Sequence, residues 1–405
     1  KLLDRALAQK PRAAELAEKY ASSFVFGELL LAIPVFIGWT WYADAQTALW
    51  ITVALLVITC PCALSLATPT ALAASTGALA DDGVLISGKQ SLETLAQIDD
   101  VVFDKTGTLT EGKPQVAAVY CVPDSGFDED ALYRIAAAVE QNAAPPLARA
   151  IVSAAQARGL DIPTAQDAQT VVGAGIAAEV EGAGLVKVGK AEFAELALPK
   201  FSDGVWDIAS IVAVSVDNKP IGAFALADAL KADTAEAIGR LKKHGIDVYI
   251  MSGDNQGTVE YVAKQLGIAH AFGNMSPRDK AAEVQKLKAA GKTVAMVGDG
   301  INDAPALAAA NVSFAMKGGA DVAEHTASAT LMQHSVNQLA DALLVSQATL
   351  KNIKQNLFFA FFYNILGIPL AALGFLNPVI AGAAMAASSV SVLSNALRLK
   401  RVNIE

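Results

Sequence analysis

Charge is distributed along this chain in blocks, and the blocks limit what it can fold into. From Tyr20 to Ala80 the only formally charged residues are Glu28 and Asp44, and from Gln355 to Leu397 there are none. Nearly every other charge lies between Asp81 and Lys354 or at the two ends. A polypeptide sorted this way reads as membrane, then polar insert, then membrane. With 405 residues, two or more domains are expected. Hydrophobic residues make up 53% and charged ones 18%, a shift away from soluble averages in both directions. The net charge of −9 argues against nucleic acid, which calls for a basic stripe. Of the three cysteines, Cys60, Cys62 and Cys121, two lie in an apolar run, so a secreted disulfide scaffold is excluded.

Apolar runs at 21–42, 49–74, 357–375 and 379–397 have the length of membrane spans, which take about 20 helical residues. Trp39, Trp41 and Tyr42 stand at the far end of the first, as interfacial aromatics do. Basic residues flank one side only. Lys10, Arg12 and Lys19 precede span one, Lys351 and Lys354 precede span three, and Arg398, Lys400 and Arg401 follow span four. The loops 43–48 and 376–378, the latter turning at Asn377-Pro378, carry no Lys or Arg. The positive-inside rule then predicts that both termini and the insert are cytoplasmic. Glu28, an ionisable residue within span one, is a functional candidate by default, and it also falls early enough in the span to snorkel to the interface.

The insert alternates short apolar strands with helical stretches. Val101–Phe103, Val248–Met251 and Thr293–Val297 each run into a polar turn containing glycine, the pattern of a parallel α/β sheet with catalytic groups at the strands' carboxyl ends. Residues 115–225 differ, opening helically and continuing in hairpin-like Val/Gly/Ala runs. The expected organisation is a membrane part at 1–80, an α/β domain at 81–114 and 226–345, an inserted α+β domain at 115–225, and a second membrane part at 346–405.

Chemistry gathers at the strand ends. Asp104-Lys105-Thr106-Gly107-Thr108-Leu109-Thr110 follows the first strand, placing a carboxylate where it can attack phosphorus and split one hard transfer into two easier ones. Ser252-Gly253-Asp254-Asn255 ends a second strand and can bind phosphate oxygens. Lys280 offers a fixed positive charge, and Asp299 and Asp303, four residues apart, suit Mg2+. These segments, in this order, resemble the haloacid dehalogenase superfamily, and the run DKTGTLT resembles the signature of P-type ATPases. By that resemblance Asp104 is the phosphorylated nucleophile, and Thr106 helps hold Mg2+ with Asp104, Asp299 and Asp303. Ser252 and Lys280 contact the phosphate.

Inside span two stands Cys60-Pro61-Cys62. The proline removes a backbone hydrogen bond and opens the helix, which a membrane tolerates where protein lines the gap. Two thiolates there select soft ions such as Cu(I) or Zn(II); on the residues alone, small core cysteines at a kink remain an alternative. Joined to the phosphorylation motif, the triplet resembles the heavy-metal subgroup of P-type ATPases. Tyr363-Asn364 in span three and Met385 with Ser388-Ser389 in span four resemble the pattern of its copper(I) pumps. That likeness implies Cys60, Cys62, Tyr363, Asn364, Met385, Ser388 and Ser389 as the Cu+ path. Glu18 resembles part of a cytoplasmic intake segment, which implies a copper chaperone or metal-binding domain as partner.

The resemblance also places ATP on Glu140, Gly173 and Gly175, while Pro145 occupies the position where the family carries a histidine. No Thr-Gly-Glu triplet occurs, so the chain is expected to correspond to the latter part of a pump, without the actuator domain and first membrane helices. The implied fold is an α/β haloacid dehalogenase-like phosphorylation domain with an inserted α+β nucleotide-binding domain and four transmembrane α-helices. The implied activity is ATP-driven Cu+ export across a bacterial plasma membrane. A zinc or cadmium pump and a membrane-tethered phosphatase are the alternatives.

Overall fold

The structure is a computed structural model that describes residues 12–141, 146–171, 173–201, 204–318 and 326–401. Its strands are β1 (Val84–Ile86), β2 (Asp100–Asp104), β3 (Thr110–Cys121), β4 (Ala165–Val171), β5 (Gly175–Val180), β6 (Gly184–Gly189) and β7 (Ser210–Val216). They continue with β8 (Lys219–Leu230), β9 (Asp247–Met251), β10 (His270–Phe272), β11 (Val294–Gly298), β12 (Val312–Met316) and β13 (Ala329–Leu331). The helices that matter below are α1 (Arg12–Tyr42), α2 (Ala45–Ile58), α3 (Cys62–Asp81), α4 (Glu129–Glu140), α5 (Pro277–Ala289), α6 (Asn337–Ala372) and α7 (Pro378–Leu397).

One sheet has seven strands in the order β1-β13-β12-β11-β2-β9-β10. Strands β11, β12 and β13 run parallel, as do β9 and β10, and β1 closes one edge antiparallel to β13. Every residue of β2, β11 and β12 is buried, as both faces of a parallel sheet require. The second sheet is antiparallel, in the order β3-β8-β7-β6-β5-β4. Helix α4 and the helix Pro146–Ala157 pack on it around Leu132, Ile151, Val186, Val214 and Phe224. The expected boundaries at 114 and 225 fall within β3 and β8, because these two long strands pair with each other along their length.

By internal packing the chain divides into two units. One comprises Lys1–Val101, Arg240–Asp247 and Ala281–Glu405, the other Val102–Gly239 and Val248–Lys280. The first unit holds the apolar helices. Among the described residues, four segments are long and apolar enough to cross a membrane: Val25–Tyr42, Ala45–Asp81, Asn337–Ala372 and Pro378–Lys400.

The second segment is broken where the sequence predicts. Helix α2 ends at Ile58 with Thr59 as its cap, and α3 starts at Cys62 behind Pro61. The Thr59 hydroxyl donates to the carbonyls of Leu55 and Leu56, which helps to satisfy groups that a helix end exposes. Beyond the apolar stretch α3 continues to Asp81, and Gly83, at φ +79°, turns the chain into β1. Gln338 of α6 donates to the Asp82 carbonyl at 2.6 Å and fastens that corner. Helix α6 starts about 20 residues before the apolar run at 357, because helical pairing continues through polar positions such as Asn352 and Asn356, both buried.

Small residues let these helices approach closely, the usual device where lipid removes a hydrophobic driving force. Ala32, Ala54, Leu55, Ile58, Ala371, Ala381 and Met385 form one buried cluster. The Trp39 indole donates to the Ala372 carbonyl at 2.8 Å. A side-chain carbon added at Gly367 would lie 2.4 Å from Ile58 Cγ1. Gly367→Ala is therefore expected to cost about 1–3 kcal/mol through overpacking. Ile58→Ala should cost less in the Gly367→Ala background than in the wild type. Thermal unfolding in detergent checks both, and strictly additive effects would contradict the contact.

Candidate active site and membrane metal site

In the second unit, Asp104 closes the buried strand β2 and is itself 6% exposed. The chain then turns through Gly107 at φ +74°, a conformation that glycine adopts without strain. Residues after β8 clamp this turn. Lys231 donates its side chain to the Gly107 carbonyl at 2.9 Å and its amide to the Leu109 carbonyl. Thr234 also donates to Leu109, and Thr110 donates to Asp228 at 2.5 Å. The loop is a fixed frame around the Asp104 carboxylate.

Lys280, in the first turn of α5 and 4% exposed, places Nζ 2.5 Å from Asp104 Oδ1. Ser252, buried at the end of β9, donates to Asp254 Oδ2 at 3.2 Å, and Lys105 Nζ lies 2.6 Å from the same oxygen. Thr106 is exposed and reaches Asp254 at 3.4 Å. Burial pushes the Asp254 carboxyl upward, but Lys105 with the hydroxyls of Ser252 and Thr106 outweighs it, and the net shift is downward. The Thr108 hydroxyl is buried without a hydrogen-bond partner. An open cleft of about 600 Å³ adjoins this loop, lined among others by Lys105, Thr106, Asp228, Asp254 and Tyr261.

Of the predicted phosphorylation residues, Asp104, Thr106, Ser252 and Lys280 thus stand in one neighbourhood of this unit. Lys105, Asp254, Asp228 and Lys231 were not singled out from sequence. The first two lie within the quoted segments, so an acid beside the strand-end serine was an available signal. The other two lie about 120 residues from the loop they hold, and no local pattern marks them.

In the first unit, β11 runs into the loop of Asp299 and Asp303. Asp303 is 2% exposed and accepts the Gly300 amide at 3.2 Å. A side-chain carbon at Gly298 would lie 2.7 Å from Asp303 Cβ, so glycine makes room for that carboxylate.

Glu140 is buried at the end of α4, which packs against β5 and β6. Gly173 sits exposed in the β4–β5 turn at φ +76°, with open space where a side chain would be. Gly175 has a different reason for being glycine, since a side-chain carbon there would lie 2.3 Å from the Val188 carbonyl on β6. Pro145 lies outside the described residues.

In the membrane helices, Met385 belongs to the buried cluster against which Cys60 packs. Asn364 and Ser388 are buried, and Asn364 Oδ1 and Ser388 Oγ have no hydrogen-bond partner. Tyr363 and Ser389 are half-buried on α6 and α7. Two expectations are corrected. Cys60 and Cys62 are joined as a disulfide across Pro61 rather than standing as two thiolates. The helix break turns both sulfurs to the same place, and a disulfide sulfur lacks the charge of a thiolate ligand, so metal ligation requires the reduced pair. Glu28 also departs from expectation: it is 8% exposed rather than extended towards an interface.

A carboxylate closing a buried strand of a largely parallel sheet, a lysine on that carboxylate, and a serine ending the neighbouring strand are gathered at the carboxyl ends of an α/β domain. The profile of the haloacid dehalogenase-like hydrolases matches residues 98–311. The chain is 56% identical to a probable cation-transporting ATPase of Haemophilus influenzae, over 99% of its own length and 56% of that protein. It is 43% identical to a copper-exporting P-type ATPase of Bacillus subtilis, over 99% of its length and 51% of that protein. A crystal structure of a zinc-transporting PIB-type ATPase superposes with a TM-score of 0.82 at 35% identity, covering 98% of this chain and 67% of that one. The chain therefore belongs to the heavy-metal P-type ATPases, with a haloacid dehalogenase-like catalytic domain. It spans about half the length of the curated relatives it matches.

Burial pushes the Glu140 carboxyl up to about 7 from its ordinary 4.5. A raised carboxyl means that the folded domain prefers the neutral form. Its contribution is complete below pH 4.5 and is lost as pH rises through about 7. Urea unfolding followed by Trp206, the one tryptophan outside the apolar runs, should show wild-type stability falling across that window. The Glu140→Gln variant should lose this component; an unchanged pH profile would contradict the assignment.

Proposed function

We propose that this chain is the catalytic and pore-forming part of an ATP-driven copper(I) pump that works through an aspartyl phosphate at Asp104. The observation that carries the phosphorylation chemistry is the Lys280–Asp104 contact at 2.5 Å in a buried site. In the reaction, an Asp104 oxygen attacks the γ-phosphorus of ATP, the bond to the β,γ-bridging oxygen breaks, and ADP leaves with that electron pair. Lys280 sets a positive charge where negative charge gathers on the transferring group. The Ser252 hydroxyl stands ready for a phosphate oxygen, and the clamped 105–110 loop prevents the carboxylate from drifting out of line. Glu140 and the open turn at Gly173 serve to hold the nucleotide, whose phosphates reach Asp104 along the cleft beside Lys105 and Thr106. The donor set of Asp104, Thr106, Asp299 and Asp303 is all oxygen and mostly anionic, which fits Mg2+. When bound, Mg2+ offsets charge on the phosphates.

Copper is favoured by the donors in the membrane. Met385 belongs to the cluster against which Cys60 packs, and the apolar runs after 355 hold no Lys or Asp, so the ligands offered are soft sulfur and neutral oxygen. The partnerless oxygens of Asn364 and Ser388 are costly in a dry environment unless something fills them. A cation passing between the helices does so. A copper-exporting relative supports this reading, and the zinc-transporting structure makes zinc the alternative to test. The basic flanks support cytoplasmic termini, and a copper chaperone or metal-binding domain is the proposed donor.

The test is labelling by ATP carrying radioactive γ-phosphate, with Cu(I), with Zn(II) or with neither. Wild type should label with Cu(I), Asp104→Asn should not label at all, and Cys60→Ser/Cys62→Ser should lose the metal response by about tenfold or more. Equal labelling without metal in the wild type and the double cysteine variant would sink the pump reading. A response to Zn(II) alone would replace copper by zinc.

A further inference from the structure

Glu28 has no role in the reading above, yet the structure places it in a demanding position. It lies in the apolar part of α1, within Val25–Tyr42, and is 8% exposed. Its Oε1 has no hydrogen-bond partner. Helix α1 packs against α2 and α3, the two halves of the broken span. The neighbour of the carboxyl is the Thr59 side chain, at the helix break and one residue before Cys60. That hydroxyl has one proton, which it already directs to the carbonyls of Leu55 and Leu56. One proton shared between two carbonyls and the carboxyl leaves Glu28 Oε1 without a partner.

The sequence removes the usual alternative. No Lys or Arg occurs between Tyr20 and Ala80 or between Gln355 and Leu397, so the apolar runs contain no cationic side chain to pair with Glu28. An intramembrane acid that is buried with one oxygen unpartnered and no cationic side chain in the apolar runs is expensive and points to function. A cation from outside the chain would complete it, and in the pump reading the break that holds the sulfur pair is where one arrives.

We propose that Glu28 is a ligand for the transported cation, an anionic oxygen station beside the Cys60–Cys62 break. It adds one full negative charge to a path whose other oxygen donors are neutral. The inference rests on the pump reading.

The test uses the pump purified in detergent with all its membrane segments. Phosphorylation by ATP is titrated against free Cu(I), and separately against Zn(II), in wild type, Glu28→Gln and Glu28→Asp. Glu28→Gln keeps the shape but removes the charge; the expected result is a half-maximal metal concentration raised about tenfold or more, with the maximal level retained. Glu28→Asp should recover most of that shift. Phosphorylation by inorganic phosphate without metal reports on folding and should be unchanged. A Glu28→Gln titration that superposes on wild type overturns the proposal while leaving the pump intact, and loss of labelling by inorganic phosphate overturns it in favour of a scaffold role. A wild type that neither metal stimulates overturns the pump reading and this proposal together.

Discussion

A buried ion pair organises the catalytic part of this chain. Asp104 and Lys280 are each less than a tenth exposed and 2.5 Å apart. Removing two charges from water costs several kcal/mol per ion, and their attraction offsets this only in good geometry. Such a pair is a poor device for stability, since apolar residues of similar volume serve as well or better. In the proposed reaction it is a good device for holding the nucleophile in place, because it fixes a charge beside the reacting oxygen before substrate arrives. The supports around it follow from that need. β2 is buried along its length, and Lys231, Thr234 and Asp228 clamp the following loop.

The membrane part is governed by a different constraint, the cost of unsatisfied polar groups in an apolar setting. Pro61 breaks the second span, and Thr59 caps the end so produced. Among the described residues of these helices, side-chain oxygens of Glu28, Thr68, Ser346, Asn364 and Ser388 are buried without partners. From Cys62 the helix runs 20 residues to Asp81, with Pro69 inside it, a length of about 30 Å. It then turns at Gly83 into β1. One helix therefore leads from the sulfur pair to the edge strand β1.

Much of this was legible in the sequence, for identifiable reasons. Charge segregation and run length mark the apolar helices because the bilayer imposes both. The strand-end positions of Asp104, Ser252 and Asp299 follow from apolar runs ending in glycine turns. What sequence could not convey depends on tertiary context. Periodicity of apolar residues fades before 357, so the early start of α6 at Asn337 was missed. The burial of Glu28 depends on which face of α1 meets the broken span. The pairing of Asp254 with Lys105, and of Asp228 with Thr110, depends on chain crossings that no local motif encodes. The joining of Cys60 to Cys62 is a matter of oxidation state, which spacing alone does not fix.

The account stands on phosphorus being captured by the carboxylate that Lys280 touches. Brief exposure to ATP, reduction with tritiated borohydride to convert an acyl phosphate to labelled homoserine, and peptide mapping would locate the acceptor. The account predicts tritium at position 104 alone, and at least about a hundredfold slower appearance of label in Lys280→Met, a loss of roughly 2.7 kcal/mol of transition-state stabilisation. Label at Asp254, Asp299 or Asp303, or an unchanged rate without Lys280, would contradict it.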